Sequence, residues 1–325
     1  MKVRLNRWVW AISIAMILVT LPFASVWAKE KYPTKPINVY VGYAAGGSTD
    51  IVVRAASEGA KALLGVPVAV VNKPGAGTAL SMEALKNARP DGYTIGSNGT
   101  STFAVVRMGN ANYDFFKDFI PICHLAEWIS GFSVNVSSPW KTFQEFQAYA
   151  KANPGKIKYG ISGPGNTSHL LMEDLAYQAG IKMVSMPTSS DAEVAASLMG
   201  SHVQAAVTSY VGFGEYVKAG KTRLLVAFAN QRLSEFPDVP TAKELGYNIG
   251  RTGLVGIVGP KGLPEDVVKT LAEAYRKGLE DPKVAKALEG IHYPARYLGP
   301  EDYARECREY DDWMVGVMKR IGMIN

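Results

Sequence analysis

The chain has 325 residues, 35 of them basic and 29 acidic, and 47% are hydrophobic, enough to bury a sizeable core and to make two domains. The formal charge of +6 overstates the folded protein. Lys2, Arg4 and Arg7 form a basic head, Trp8 to Ala28 carries no charge, and Val26-Trp27-Ala28 offers a cleavage point before Lys29-Glu30-Lys31. Residues 1–28 read as a signal peptide, with an uncleaved anchor as the rival, since the stretch is nearly long enough to span a bilayer. Without it the 35 basic residues become 32 against the same 29 acids, or +3, too mild a charge to suggest nucleic acid. No cysteine stands at the junction to take a lipid anchor, and no other uncharged run is long enough to cross a membrane. The expected mature protein is exported and soluble. In an oxidising compartment Cys123 and Cys307 are free to form a disulfide, and two buried thiols are the alternative.

In chain order, the apolar run Ile37–Gly42 predicts a strand, and Ile51–Leu64, closed by Gly65, predicts a helix. Between them stands Tyr43-Ala-Ala-Gly-Gly-Ser-Thr-Asp50. Two glycines leading into a helix headed by Ser48, Thr49 and Asp50 leave N–H groups free at its positive end, a natural seat for an anion. A tight, well-capped connection is the plainer reading of that loop taken alone. Val68–Asn72 predicts a strand, Pro74 to Gly77 a turn, and Leu80, Ala84 and Leu85 a helix. Pro90-Asp91-Gly92 is a turn, Tyr93–Gly96 a short strand, and Ser97 to Thr102 a polar loop leading into Phe103–Met108. Phe119–Glu127 is ambiguous. Phe132–Val136 predicts a strand, Thr142–Ala152 a helix, Ile157–Ile161 a strand, and His169–Ala179 a helix stopped by Gly180. Strand Met183–Met186 precedes a helix from Asp191 to Gly200, and strand Val203–Val207 precedes one ending at Gly220. Leu224–Ala229 and Val255–Val258 predict further strands, and Thr241 with Glu244 has capping-box spacing. Pro264 opens one helix, and the last runs from about Pro300 to Ile321. Such alternation predicts an α/β fold with largely parallel sheets and helices on both faces.

The loops after the predicted strands share a composition. Residues 43–50, 97–102, 162–168 and 187–190 are rich in glycine, serine, threonine and asparagine, and 208–210 is a shorter fifth. Ligands of open α/β sheets bind beyond the carboxyl ends of the strands, so these loops are placed to converge on one cleft. They offer neutral donors and helix N-termini but few charges, which suits a small carboxylate held by hydrogen bonds. Each loop alone reads as a capped connection, and the recurrence is what favours a site. Enzyme signatures are poor. Gly160-Ile-Ser162-Gly-Pro164 lacks the last glycine of a nucleophile elbow. His124, His169, His202 and His292 have no metal spacing, and neither HExxH, CxxC, GxxxxGK[ST] nor GxGxxG occurs. No metal or cofactor is expected. His169 reads as a capping or packing residue, with a cleft-facing role as the alternative, and Asp50 and Arg54, four apart, read as a scaffold pair.

At these residues the sequence resembles the solute-binding receptors of tripartite tricarboxylate transporters, also called Bug or TctC-like receptors. The resemblance rests on Tyr32-Pro-Thr-Lys-Pro-Ile37, Ala44 to Asp50 with Arg54, and Val71-Asn-Lys-Pro-Gly-Ala-Gly77. It continues in Pro90-Asp-Gly-Tyr-Thr94, Gly163 to Leu170, Arg232, Pro237-Asp-Val-Pro-Thr241 and Glu244-Leu-Gly246. It implies a two-domain periplasmic binding protein of the type II, Venus-flytrap kind, with crossover strands near Gly131–Val136 and Leu224–Ala229. Domain I would comprise 29–131 plus 230–325, and domain II 132–229. It further implies a monomeric periplasmic receptor, not an enzyme, whose partners are a small organic carboxylate and membrane transporter subunits. One carboxylate would be gripped by Tyr43, Ala45, Gly46, Gly47, Ser48 and Thr49 from one domain and by Ser162, Asn166, Thr167 and Ser168 from the other. The far end of the ligand would meet Asn98, Thr100, Ser101, Thr188, Ser189, Thr208 and Tyr210. Here the chain departs from many relatives: Ser185-Met-Pro-Thr-Ser-Ser190 replaces a Tyr-x-Gly-like element, and Gln204-Ala-Ala206 lacks a frequent acid. These hydroxyls, with Tyr210 and Phe103, point to a dicarboxylate or an aromatic acid. The alternatives are an exported hydrolase using Ser162 or Ser168 with His169, and a sensing module for a membrane signalling partner.

Overall fold

A computed structural model describes residues 32–188, 190–249 and 252–325; the signal-peptide reading of residues 1–28 lies outside them. The first half runs β1 (Ile37–Val41), α1 (Ser48–Leu64), β2 (Val68–Asn72), α2 (Ala79–Lys86), β3 (Thr94–Gly99), α3 (Thr100–Arg107), α4 (Phe115–Asp118), β4 (Phe119–Trp128), β5 (Ser130–Asn135) and α5 (Phe143–Ala152). It continues β6 (Lys158–Ile161), α6 (Thr167–Ala179), β7 (Val184–Pro187), α7 (Asp191–Met199), β8 (Ala205–Ser209), α8 (Tyr210–Lys218) and β9 (Thr222–Phe228). The last part comprises β10 (Gly253–Pro260), α9 (Glu265–Leu279), α10 (Pro282–Glu289), β11 (Ala295–Leu298) and α11 (Pro300–Arg320).

Two sheets result. The first has strand order β11-β4-β10-β3-β1-β2 and the second β7-β6-β8-β5-β9. Strand–helix–strand units make β1, β2 and β3 parallel, and likewise β6, β7 and β8. The expectation of largely parallel sheets needs qualification, because β10 and β11 in the first sheet and β5 in the second run antiparallel to their neighbours. These are strands the chain lays down as it crosses between sheets or returns, without a helical crossover to keep the direction. Ile129 alone separates the last strand of the first pass from the first strand of the second sheet. β10 has every residue buried, as a central strand covered on both faces must.

Each sheet has its own core. Phe132, Phe143, Phe146, Tyr159 and Leu171 centre the second, and Phe103, Phe119, Tyr303, Tyr310 and Met314 the first. A buried side chain of this size contributes roughly 1.5–3 kcal/mol by leaving water, so these aromatics fix the layer spacing on which the loops stand. α5 begins as its sequence predicts: Thr142 caps the Glu145 N–H at 3.2 Å, and Glu145 reaches back to the Thr142 N–H at 3.3 Å. Two expectations fail. Ser97, Asn98 and Gly99 are strand, not loop, because they pair with Ile257, Gly256 and Val255 of β10. Helix α10 and strand β11 have no counterpart among the elements expected from the sequence. Cys123 in β4 and Cys307 in α11 are separate buried thiols, the second of the two alternatives for them.

His124, in β4, is fully buried. Its Nδ1–H donates to the Arg296 carbonyl at 2.8 Å, while Nε2 has no partner. Burial lowers its pKa from 6.5 to about 4, with the Arg296 carbonyl opposing the shift. Between those values the unfolded chain binds the proton and the fold does not, so stability rises with pH there. The contribution is complete above pH 6.5, falls as pH drops toward 4, and amounts to about 3 kcal/mol. Urea midpoints measured from pH 7 to 4 should therefore drop in the wild type, and the drop should be smaller in His124→Gln.

Candidate functional site

The first wall of the site is the turn from β1 into α1. Gly46 has φ +79°, a left-handed conformation that glycine adopts without strain. Its N–H donates to Asp50 Oδ2 at 3.0 Å. Asp50 also receives Arg54 at 2.7 Å and Asn72 Nδ2 at 2.8 Å, and Asn72 Nδ2 reaches the Tyr43 carbonyl at 3.0 Å. Asp50 is buried, which alone would raise its pKa; Arg54, the Gly46 N–H and Asn72 outweigh this and hold it below the ordinary value. Asp50 and Arg54 are thus scaffold. They pin the loop while Gly47, the N-cap of α1, supplies no side-chain cap, so first-turn N–H groups stay open beside Ser48 and Thr49.

The second wall comes from β3 and α3. Gly99 caps α3 without a side chain, and the Tyr43 ring lies over it: a Cβ there would stand 3.2 Å from the Tyr43 hydroxyl. Burial raises the pKa of that hydroxyl, and the nearby Ser101 hydroxyl opposes the rise. From the second sheet, Asn166 caps α6 by accepting the His169 N–H at 2.8 Å. Thr167 Oγ1 then donates across the lobes to Thr100 Oγ1 at 2.7 Å. Thr100 donates to the Tyr310 hydroxyl at 3.1 Å, and Tyr310 to Thr167 at 3.4 Å, closing a ring of three hydroxyls. The lobes meet here.

α7 and α8 complete the second-sheet side. Asp191, the first residue of α7, accepts the Ser162 hydroxyl on one oxygen. On the other it takes both the Ser209 hydroxyl and the Ser209 N–H, the latter at 3.0 Å. Ser209 caps α8 but makes no side-chain cap bond, because its hydroxyl is turned to Asp191.

The contacts thus bring Tyr43 beside Ser101, Thr100 to Thr167 across the lobes, and Ser162 to Ser209 through Asp191, while Ser48 and Thr49 open α1 after Gly47. Several expected residues face elsewhere. Asn98 points to the α11 side, where its Oδ1 accepts the Tyr303 hydroxyl at 2.7 Å. Ser168 is tied to Ser130 at 2.9 Å. Thr188 bonds the carbonyls of Ile161 at 3.3 Å and Ser190 at 3.1 Å. Thr208 packs against Gly212. Tyr210 stacks on His292 with centroids 3.9 Å apart and bonds Glu235, facing a groove of about 820 Å³. Phe103 is core, Ala45 is exposed, and Ser189 lies outside the described residues. Sequence reasoning read Asp191 only as a helix opener and missed that it would tie Ser162 to Ser209.

No serine–histidine pair forms among the described residues. His169 Nδ1 accepts the Gly165 N–H at 3.0 Å and Nε2 lies 3.7 Å from Glu173, while Ser162 and Ser168 serve Asp191 and Ser130. His169 is a packing residue.

The family model described as the tripartite tricarboxylate transporter family receptor matches residues 52–322. The chain belongs to this receptor family. It is 37% identical over 294 residues, 90% of each chain, to the UPF0065 protein in the gbd 5′ region of Cupriavidus necator. A TctC solute-binding protein from Polaromonas superposes with TM-score 0.81 at 30% identity, covering 89% of this chain and 99% of that one. MatC from Rhodopseudomonas palustris, solved with malate, gives TM-score 0.72 at 26% identity over 88% and 100%. Receptors of the family are periplasmic solute-binding proteins rather than enzymes, and the two-sheet fold found here is theirs.

Proposed function

We propose that this receptor captures a small organic carboxylate between its lobes and delivers it to the membrane subunits of a tripartite transporter. One observation carries the reading: α1 and α3 bring helix N-termini without side-chain caps toward the seam where Thr100 meets Thr167 of the other lobe. Such ends attract anions through open N–H groups and the helix dipole. The hydroxyls of Ser48 and Ser101 add neutral donors, and no lysine or arginine among the site residues is needed to hold the charge. The likeness to MatC, which binds malate, supports the same ligand class. On this reading domain I is 29–131 plus 230–325 and domain II is 132–229, a division that sheet membership favours. The chain acts as an exported monomer freed of residues 1–28, without nucleic acid or cofactor.

Thermal unfolding against a panel of carboxylates tests this. A ligand specific for the folded state adds about 2.7 kcal/mol at 100 times its Kd, so one acid should raise Tm by several degrees. A panel without any shift, on folded and ligand-free protein, would remove the carboxylate reading.

A further inference from the structure

Resting on that reading of the cleft, we propose that Tyr293 and Asp191 form its far end and select a carboxylate that carries a hydroxyl or ammonium group in place of a second carboxylate. Tyr293 lies between α10 and β11, is fully buried, and its hydroxyl has no hydrogen-bond partner. A buried hydroxyl left unpaired is costly, so this position is built to be completed by something else. Its surroundings are the site itself. Burial raises the Tyr293 phenol; the nearby hydroxyls of Ser48, from α1, and Ser209, from α8, oppose the rise, and Asp191 and Tyr43 add to it. Ser48 and Ser209 flank the phenol, one from each lobe. Trp128, whose ring meets that of Tyr293 edge-on with centroids 5.2 Å apart, holds a second buried and unpartnered donor, Nε1–H. Trp128 in turn pairs with Gly253, on which a Cβ would stand 3.1 Å from Thr167 Oγ1 of the cross-lobe hydroxyl ring.

Asp191 sets the chemistry of this end. It is a half-buried carboxylate whose partners are two serine hydroxyls and one N–H, and no cation pairs with it among the described residues. Oδ1, which takes only the Ser162 hydroxyl, keeps a lone pair for a further donor, whereas Oδ2 is filled by Ser209. A second ligand carboxylate placed here meets a like charge away from bulk water, which is repulsive. A ligand hydroxyl meets an acceptor in Asp191 and donors in Tyr293 and Trp128. An ammonium group also gains an ionic partner.

The test compares acids of three to six carbons bearing a terminal hydroxyl, ammonium or carboxylate, titrated by calorimetry into the mature protein. The hydroxy- or amino-acid of the best chain length should bind at least tenfold tighter than the dicarboxylate of the same length. Asp191→Asn should reverse this ranking, weakening the amino-acid at least tenfold and strengthening the dicarboxylate. Tyr293→Phe, which keeps the ring and its packing, should weaken the preferred ligand about tenfold with little change in Tm. A dicarboxylate bound as tightly as its hydroxy or amino counterpart overturns the inference, as does a ranking unchanged in Asp191→Asn or a full-affinity Tyr293→Phe. Those results leave the carboxylate receptor standing; binding of no acid at all removes the receptor reading itself.

Discussion

Replacing Asp50 with alanine is expected to cost about 3 kcal/mol of stability and at least tenfold in carboxylate affinity. The stability loss follows from what Asp50 collects: the Gly46 N–H, the Arg54 guanidinium and the Asn72 amide. Truncation takes this acceptor from the half-buried Asn72 amide and from the Gly46 N–H, a loss of about 1–3 kcal/mol for a donor left unpaired away from water. Arg54 loses less, because half of its side chain is already in water and it rehydrates readily. The affinity loss has a different origin. Asp50 does not face the ligand; it fixes the loop whose open N–H groups do, and a freed Gly46 turn must be ordered again at each binding event. The lowered pKa of Asp50 adds a pH signature. Its contribution is complete above the ordinary value of 3.8 and is lost as pH falls through the lower folded-state value. Asp50→Ala should therefore lose its disadvantage in strong acid. Urea midpoints and calorimetric Kd values, measured across pH, check both halves.

A second large effect is expected from Gly278→Val. α1 and α9 cross with backbone against backbone: a Cβ on Gly278 would stand 2.5 Å from the Ala60 nitrogen and 2.7 Å from the Gly59 carbonyl carbon. Side chains relax around an added methyl, whereas packed main chain moves only with its whole helix. Overpacking of this kind costs about 1–3 kcal/mol when side chains absorb it, and here at least about 3 kcal/mol is expected. The displaced helix is the one whose N-terminus faces the cleft, so affinity should fall with stability. Gly316 in α11 is the control, because a Cβ added there would have nothing within 4 Å. Gly316→Ala should stabilise by roughly 0.5–1 kcal/mol through helix propensity.

The contrast between local and distant cues explains what the sequence revealed. The β1–α1 turn was legible because its parts are neighbours: an apolar run, two glycines, then a helix with Asp50 four residues before Arg54. Asn72, the third member of that scaffold, arrives from β2 and left no trace in the local pattern. Ser97-Asn98-Gly99 looks like a loop by composition and becomes strand only because β10, more than 150 residues later, pairs with it. The same limit applies to the cleft. Hydroxyl-rich loops after strands marked its rim, and five of them do end strands of the two sheets or lead into helices. Which hydroxyls face a ligand depends on lobe packing: Thr167 meets Thr100, whereas Ser168 turns to Ser130. Tyr293 and Trp128 are ordinary aromatics in the sequence, and only their unpartnered polar atoms at the junction of both lobes distinguish them.

On the proposed reading, helix N-termini and neutral donors hold the negative charge of the solute. Calorimetric titration of the best-binding acid beside its primary amide, which has nearly the same shape and no charge, isolates that charge. Affinity for the acid at least 100-fold higher, about 2.7 kcal/mol, is the expected result. Equal affinity for acid and amide would mean that the cleft does not recognise the charge at all.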